Sequence, residues 1–175
     1  SRNKTKKGTI IDASMVDGSA HLMTLFYGLN AAGILNKRRG DNILDGGAPY
    51  YKTYKTKDDK WIAVAAIEEK FYFNFLKVFE LDFKKIPDRN DKNNWEKLSR
   101  LFSNKIRKYS LQNILKKSDG IDTCITPVLE IEETITNHHN AKRNTFINIA
   151  GIDQPAPAPR FNNKQLPKPK QPVKP

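Results

Sequence analysis

The sequence predicts a mixed α+β fold, a small antiparallel sheet with several helices. Two β-prone runs, Tyr50 to Thr56 and Trp61 to Ala66, are separated only by the polar turn Lys57-Asp58-Asp59-Lys60, which reads as a hairpin. Amphipathic stripes of helical period lie before and after it. A glycine-rich crossing, Arg39-Gly-Asp-Asn-Ile-Leu-Asp-Gly-Gly-Ala-Pro-Tyr-Tyr51, joins the first helical segment to the hairpin.

In chain order, the first seven residues are basic and polar, and Thr9 to Ala13 is a short β-prone stretch. From Ser14 to about Leu35, Met15, Leu22, Phe26 and Leu29 recur at helical spacing, with Ser14 as N-cap and Asp17 in the acidic position of a capping box. In the hairpin, Tyr50, Lys52, Tyr54 and Thr56 alternate with Tyr51, Thr53 and Lys55, a period of two. Trp61 to Ala66 is mostly apolar, so it is buried on both faces or on one face beneath a helix. Phe71, Phe75, Leu76 and Phe79 make the next helix amphipathic. Residues 82 to 93 are polar, contain Pro87 and read as a loop. Trp95, Leu98, Leu101, Phe102 and Ile106 form one stripe, and Ser110 caps a further helix. A short strand around Thr123 to Thr126 ends at Pro127, a helix follows from Glu130 to Asn137, and Phe146 to Ile149 is a last strand. From Gln154 onward, proline and lysine dominate, as in an extended linker.

Composition narrows the function classes. The chain has 175 residues, enough for one ordinary domain with a moderate core. Lys plus Arg number 31 against 19 Asp plus Glu, a net charge of +12 that favours anionic partners. Much of the excess lies in residues 1 to 7 and 162 to 174. Lysine interleaved with aromatics in the hairpin also suits base stacking, but a half-buried hairpin explains the same letters, and no nucleic-acid partner is expected. The single cysteine, Cys124, excludes an internal disulfide and sits in the apolar run Ile121 to Leu129, as a small buried hydrophobe. No apolar run reaches the roughly 18 residues of a membrane span. His21 and the adjacent His138 and His139 lack the companions of a zinc site, so no metal is expected. Dinucleotide, phosphate-loop and Gly-x-Ser-x-Gly signatures are absent from the sequence.

The crossing from Arg39 to Tyr51 has two readings. Gly, Asp, Asn and Pro are ordinary turn residues, and a tight helix-to-strand turn explains them. Glycines also let a backbone approach a ligand closely, and Pro49 forces Ala48 into an extended conformation.

Arg39-Gly40, Asn42, Leu44-Asp45-Gly46-Gly47-Ala48-Pro49 and Ala66-Ile67-Glu68 followed by Lys70-Phe71-Tyr72 resemble the second half of the alpha-methylacyl-CoA racemases, members of the family III CoA-transferase superfamily. Ile11-Asp12-Ala13 with Met15-Val16-Asp17-Gly18 fits as well, and so does Asp122-Thr123-Cys124 with Thr126-Pro127-Val128-Leu129. The resemblance runs from about residue 5 to about residue 161. It departs at Glu69, where relatives often carry proline, and at Thr5-Lys6-Lys7-Gly8, where they usually carry Thr-Gly-Lys-Gly.

The resemblance implies the small domain of the family III CoA-transferase fold with flanking connectors. Residues 1–35 would be a connector strand and helix from a preceding large domain, 36–150 the small domain with the glycine-rich loop, and 151–175 a linker returning to the large domain. The implied reaction interconverts (R)- and (S)-2-methylacyl-CoA by 1,1-proton transfer through an enolate, with no cofactor beyond the CoA of the substrate. The two proton carriers, a histidine and an aspartate, belong to the half that this sequence does not match. Glu68 would be the catalytic residue here, pairing with that histidine, although an N-cap carboxylate on helix amides explains Glu68 equally well on sequence alone. Asp45, Gly46, Gly47, Tyr50, Tyr51 and Ile67 would bind the acyl side of the substrate. The implied partner is a second copy, the two chains interlocking. The compartment implied is the peroxisome or mitochondrion, although Pro172-Val173-Lys174-Pro175 forms no peroxisomal tripeptide. The rival readings are a CoA-transferase of the same superfamily and a noncatalytic acyl-CoA-binding or dimerisation module. A chain of this length alone should be inactive as a racemase.

Overall fold

The computed structural model describes residues 2–162 and 164–171, so the last four residues discussed above lie outside the described residues. A short helix, α1 (Arg2–Thr5), precedes α2 (Met15–Leu22) and α3 (Thr24–Ala31). The hairpin β1 (Tyr51–Lys55) and β2 (Trp61–Ala65) leads into α4 (Glu69–Val78), and α5 (Trp95–Ile106) and α6 (Leu111–Ser118) follow. The chain then runs through β3 (Ile125–Val128), α7 (Ile131–Thr136), α8 (His138–Lys142), β4 (Phe146–Ile149) and β5 (Ile152–Pro155). The expected mixture of helices and small antiparallel sheet is what the chain adopts.

The main sheet has the order β1-β2-β3, antiparallel throughout, with Lys52 opposite Val64, Tyr54 opposite Ile62 and Ile62 opposite Pro127. Alternation decides its burial: Ile62 and Val64 point into the core while Trp61 and Ala65 face out. One face of β2 is therefore buried, beneath helices, and the other is open. Aromatic side chains dominate the core. Phe75 and Phe102 meet edge to face with ring centroids 5.0 Å apart, Tyr54 and Tyr72 also contact Phe102, and Leu98, Ile106 and Ile114 are fully buried around them. Ser110 caps α6 as expected, its hydroxyl accepting the Asn113 amide at 3.3 Å.

Several local expectations are corrected. Residues 9–13 form no strand: among the described residues no segment pairs with them, and Ile10 and Ile11 are exposed. The expected single helix from Ser14 to Leu35 breaks at Met23, whose amide turns to the Ala20 carbonyl three residues back at 3.1 Å, while the Thr24 hydroxyl donates to the His21 carbonyl at 2.6 Å. Ser14 sits at the N-cap position without accepting a helix amide. Pro127 lies inside β3 rather than ending it. Ile62 directs its backbone groups toward β1, so the position facing it on the edge strand needs no N–H. Cys124 is half-buried, with a positive φ of 51°. β5 was hidden by an Ala150-Gly151 turn, both residues at positive φ, which Asn148 closes by accepting the Gly151 amide at 3.0 Å.

The buried apolar residues lie between Ala48 and Ile114. Neither α2 nor α3 buries a residue, and Met15, Val16, Leu22, Leu25 and Tyr27 are all exposed. Val16, Met23, Phe26, Tyr27 and Leu35 line an apolar groove of about 450 Å³ along these helices. No helix among the described residues is long and apolar enough to cross a membrane.

Candidate functional site

The glycine crossing is closed by its own side chains. Asn36 and Asn42 exchange bonds, the Asn36 amide donating to Asn42 Oδ1 at 2.7 Å and Asn42 Nδ2 to the Asn36 carbonyl at 3.0 Å. Asp45 is the hub. Its Oδ1 accepts the amides of Asn42 at 2.9 Å and Gly47 at 3.2 Å, and its Oδ2 accepts the Gly40 amide at 3.0 Å and Asn42 Nδ2 at 2.8 Å. Desolvation opposes ionisation, but these four donors outweigh it and hold the Asp45 carboxyl down at about 2. Its carboxylate is thus committed to the loop.

Gly47 is required by space. A Cβ there would lie 2.6 Å from the Gly40 carbonyl oxygen and 2.8 and 2.9 Å from backbone atoms of Asn42. Gly46 is required by conformation, with φ at +88°. The turn reading of the crossing therefore accounts for Asp45, Gly46 and Gly47, and the outer surface of the same loop lines a cavity. That cavity, about 430 Å³, brings Gly46 and Gly47 together with Arg38, Arg39, Lys52 and Lys92. The two acids on its wall are engaged elsewhere, Asp41 by Asn36 Nδ2 and Glu96 by Arg100. Its positive character was not legible in sequence, because Lys92 arrives from a short 3-10 turn, Lys92–Asn94, about forty residues beyond Lys52.

From the crossing, Ala48 and Pro49 enter the core, and Tyr54 donates its hydroxyl to the Pro49 carbonyl at 2.6 Å. Tyr50 is 6 % exposed, its ring edge-on to Tyr72 and to Trp95. It reaches the site through its backbone: the Tyr50 carbonyl accepts the Ala66 amide at 2.9 Å. Tyr51 is half-buried opposite Ala65 on the outer face of the sheet, and Ile67 is half-buried where β2 gives way to α4. The crossing and the Ala66-Ile67-Glu68 segment are thus neighbours.

Glu68 is the N-cap residue of α4, extended at φ −69° and ψ 147°. Its side chain accepts no helix amide, and it is exposed. A purely capping carboxylate would bond those amides, so the cap explanation loses its main support. Its charge reaches Cys124, whose thiol is pushed up by burial and then by Asp122 and Glu68. An acid at a helix N-terminus, with no hydrogen bond or ion pair to satisfy it among the described residues, can accept an N–H from outside. Among the described residues no group of three or more His, Cys, Asp or Glu side chains is placed to hold a metal.

The matched family model, CoA-transferase family III, spans residues 1–175, and the chain belongs to that family. It is 38 % identical over 158 residues to a mouse protein named alpha-methylacyl-CoA racemase, covering 90 % of this chain and 41 % of that one. The human protein of the same name is 36 % identical over 163 residues, covering 93 % of this chain and 43 % of the relative. A Caenorhabditis elegans relative named CaiB/baiF CoA-transferase family protein ZK892.4 is 32 % identical, covering 88 % of this chain and 44 % of its own length. The chain therefore spans about two fifths of the curated relatives it matches. In fold it is similar to a CAIB/BAIF family protein from Brucella suis, with TM-score 0.70, 18 % identity and coverage of 97 % of this chain and 47 % of that one. It also resembles Rv3272 from M. tuberculosis, with TM-score 0.69, 9 % identity and coverage of 94 % and 43 %.

Proposed function

We propose that this chain supplies Glu68 to the active site of a 2-methylacyl-CoA racemase, which interconverts (R)- and (S)-thioesters by removing and returning the C2 proton through an enolate. The observation that carries this reading is the state of Glu68: exposed, at a helix N-terminus, and not bonded to the helix it caps. The similarity to two proteins named alpha-methylacyl-CoA racemase supports the choice of reaction.

A C2 proton beside a thioester is a weak acid, so the site needs a base on each face and donors for the developing enolate charge. Neither base is assigned to this chain. Glu68 accepts the N–H of an imidazole supplied by another part of the assembly, fixes its tautomer and raises its basicity. The crossing, held in shape by Asp45, presents the Gly46 and Gly47 backbone to the substrate, with Tyr51 and Ile67 beside it and Tyr50 supporting it from the core. The reaction uses no cofactor beyond the CoA carried by the substrate.

In this reading two copies interlock, so that Glu68 acts across a subunit boundary, and the exposed apolar faces of α2 and α3 are covered in the assembly. The 175-residue chain alone is inactive. The enzyme works on branched-chain acyl-CoA in the peroxisome or mitochondrion. The direct test follows C2 proton exchange of a 2-methylacyl-CoA in deuterated water, comparing the full-length protein with its Glu68→Gln form. A loss of exchange supports the assignment, and unchanged exchange removes Glu68 from the mechanism.

The family resemblance to a protein named as a CoA-transferase favours a second reading, transfer of CoA between carboxylic acids. That chemistry needs a carboxylate nucleophile, and Glu68 would not be its partner. Formation of a new thioester from an added acid acceptor, without C2 exchange, would select it.

A further inference from the structure

We propose that Arg89 is a positioning residue that locks the Glu68 segment to the glycine crossing, and that it affects proton transfer only through Glu68. The proposal rests on the reading of Glu68 given above. Arg89 comes from the polar stretch 82–93, which in sequence is only a connector.

The chain must turn sharply between the end of β2 and the start of α4. It does so with the Ile67 amide donating to the Ala65 carbonyl at 3.0 Å, a three-residue turn centred on Ala66. Such a turn holds little stability of its own. Ala66, however, is fully buried and held on both sides. Its amide goes to the Tyr50 carbonyl at 2.9 Å, and its carbonyl accepts Arg89 Nη1 at 3.0 Å. The peptide that aims Glu68 is therefore gripped by the end of the crossing and by Arg89.

Arg89 is itself fixed by the residues it holds. Its guanidinium carbon lies 4.8 Å from the Tyr50 ring centroid and 4.3 Å from that of Tyr72, and its backbone carbonyl accepts Trp95 Nε1 at 2.8 Å. Trp95 meets Tyr50 edge-on at 6.2 Å, which closes the circuit Tyr50, Ala66, Arg89, Trp95. A planar cation can stack on rings and donate in its plane at once, and lysine cannot reproduce both. Motion of the crossing and motion of Glu68 are thus joined through one guanidinium.

The test uses the full-length protein and two readouts. In hydrogen–deuterium exchange, Arg89→Met should speed exchange in peptides covering 40–50 and 65–69 together, leaving α6 unchanged. If Arg89→Met loosens every peptide, Arg89→Lys is read instead, and it should loosen the same two segments more weakly. In C2 proton exchange, Arg89→Met should lower kcat by about 10- to 100-fold with KM little changed, as expected for a misplaced group. The Arg89→Met, Glu68→Gln double variant should then be no slower than Glu68→Gln alone, within about twofold. Losses that multiply in the double variant, or unchanged hydrogen exchange in either segment, overturn the proposal. If Glu68→Gln alone leaves C2 exchange intact, the racemase reading fails, and hydrogen exchange by itself decides whether Arg89 couples the two segments.

Discussion

Asp45 and Gly47 act as one device, and each can be tested alone. Because three backbone atoms occupy the space a Gly47 side chain would need, Gly47→Ala forces the crossing open. A destabilisation of about 1–3 kcal/mol is expected, as for overpacking elsewhere, read as a lower urea midpoint at unchanged slope. For Asp45 the sign follows from linkage. Its folded-state pKa is depressed, to about 2, so its contribution is fully present above the unfolded value near 4 and disappears as pH falls toward 2. The stability gap between the wild type and Asp45→Asn should accordingly be constant at neutral pH and narrow through that acid window. A gap that stays constant down to pH 2 would show that the four hydrogen bonds do not favour the ionised form. The asparagine variant is informative because it keeps the shape but turns an N–H₂ group toward amides that already donate.

At the scale of elements, what the sequence discloses depends on whether the deciding contacts are local. The hairpin, α4, α5 and the Ser110 cap follow from alternation, apolar stripes and a serine before a helix, all written within a dozen residues. Ser110→Ala should cost about 1 kcal/mol by freeing the Asn113 amide, measured by thermal unfolding. Phe102→Ala, at the centre of the aromatic cluster, should cost about 3–5 kcal/mol. The features that escaped are those fixed by a distant or unusual partner. Pro127 remains in a strand because β3 is an edge and its facing residue bonds the other way, which only the register reveals. The break at Met23 lies in one amide turning to a carbonyl three residues back instead of four. At the site, Ala66-Ile67-Glu68 and the glycines were legible as letters, whereas their junction through Tyr50, and Arg89 behind it, were not. Two segments some fifteen residues apart are joined by an arginine over twenty residues further on, and no local pattern marks such a circuit.

Across the whole molecule, stability and exposed apolar surface are segregated, and that separation makes a prediction of its own. The core is drawn from residues between Ala48 and Ile114, while α2 and α3 bury nothing yet expose Met15, Leu22, Leu25 and Tyr27, with Leu22 81 % exposed. Large apolar side chains exposed together on two successive helices mark an interaction surface. Their exposure also means that they contribute little to the cooperative unfolding of the rest. The 175-residue chain should therefore bind a hydrophobic dye and self-associate as its concentration rises. Changing Met15, Leu22 and Leu25 together to serine should abolish most dye binding and association while shifting stability by no more than about 0.5 kcal/mol, since surface substitutions away from packed features rarely do more. Analytical ultracentrifugation and urea unfolding of the same samples read the two effects separately. A large drop in stability in the triple variant would mean that α2 and α3 pack on the core in solution, and the division between a folded centre and an exposed apolar pair of helices would not hold.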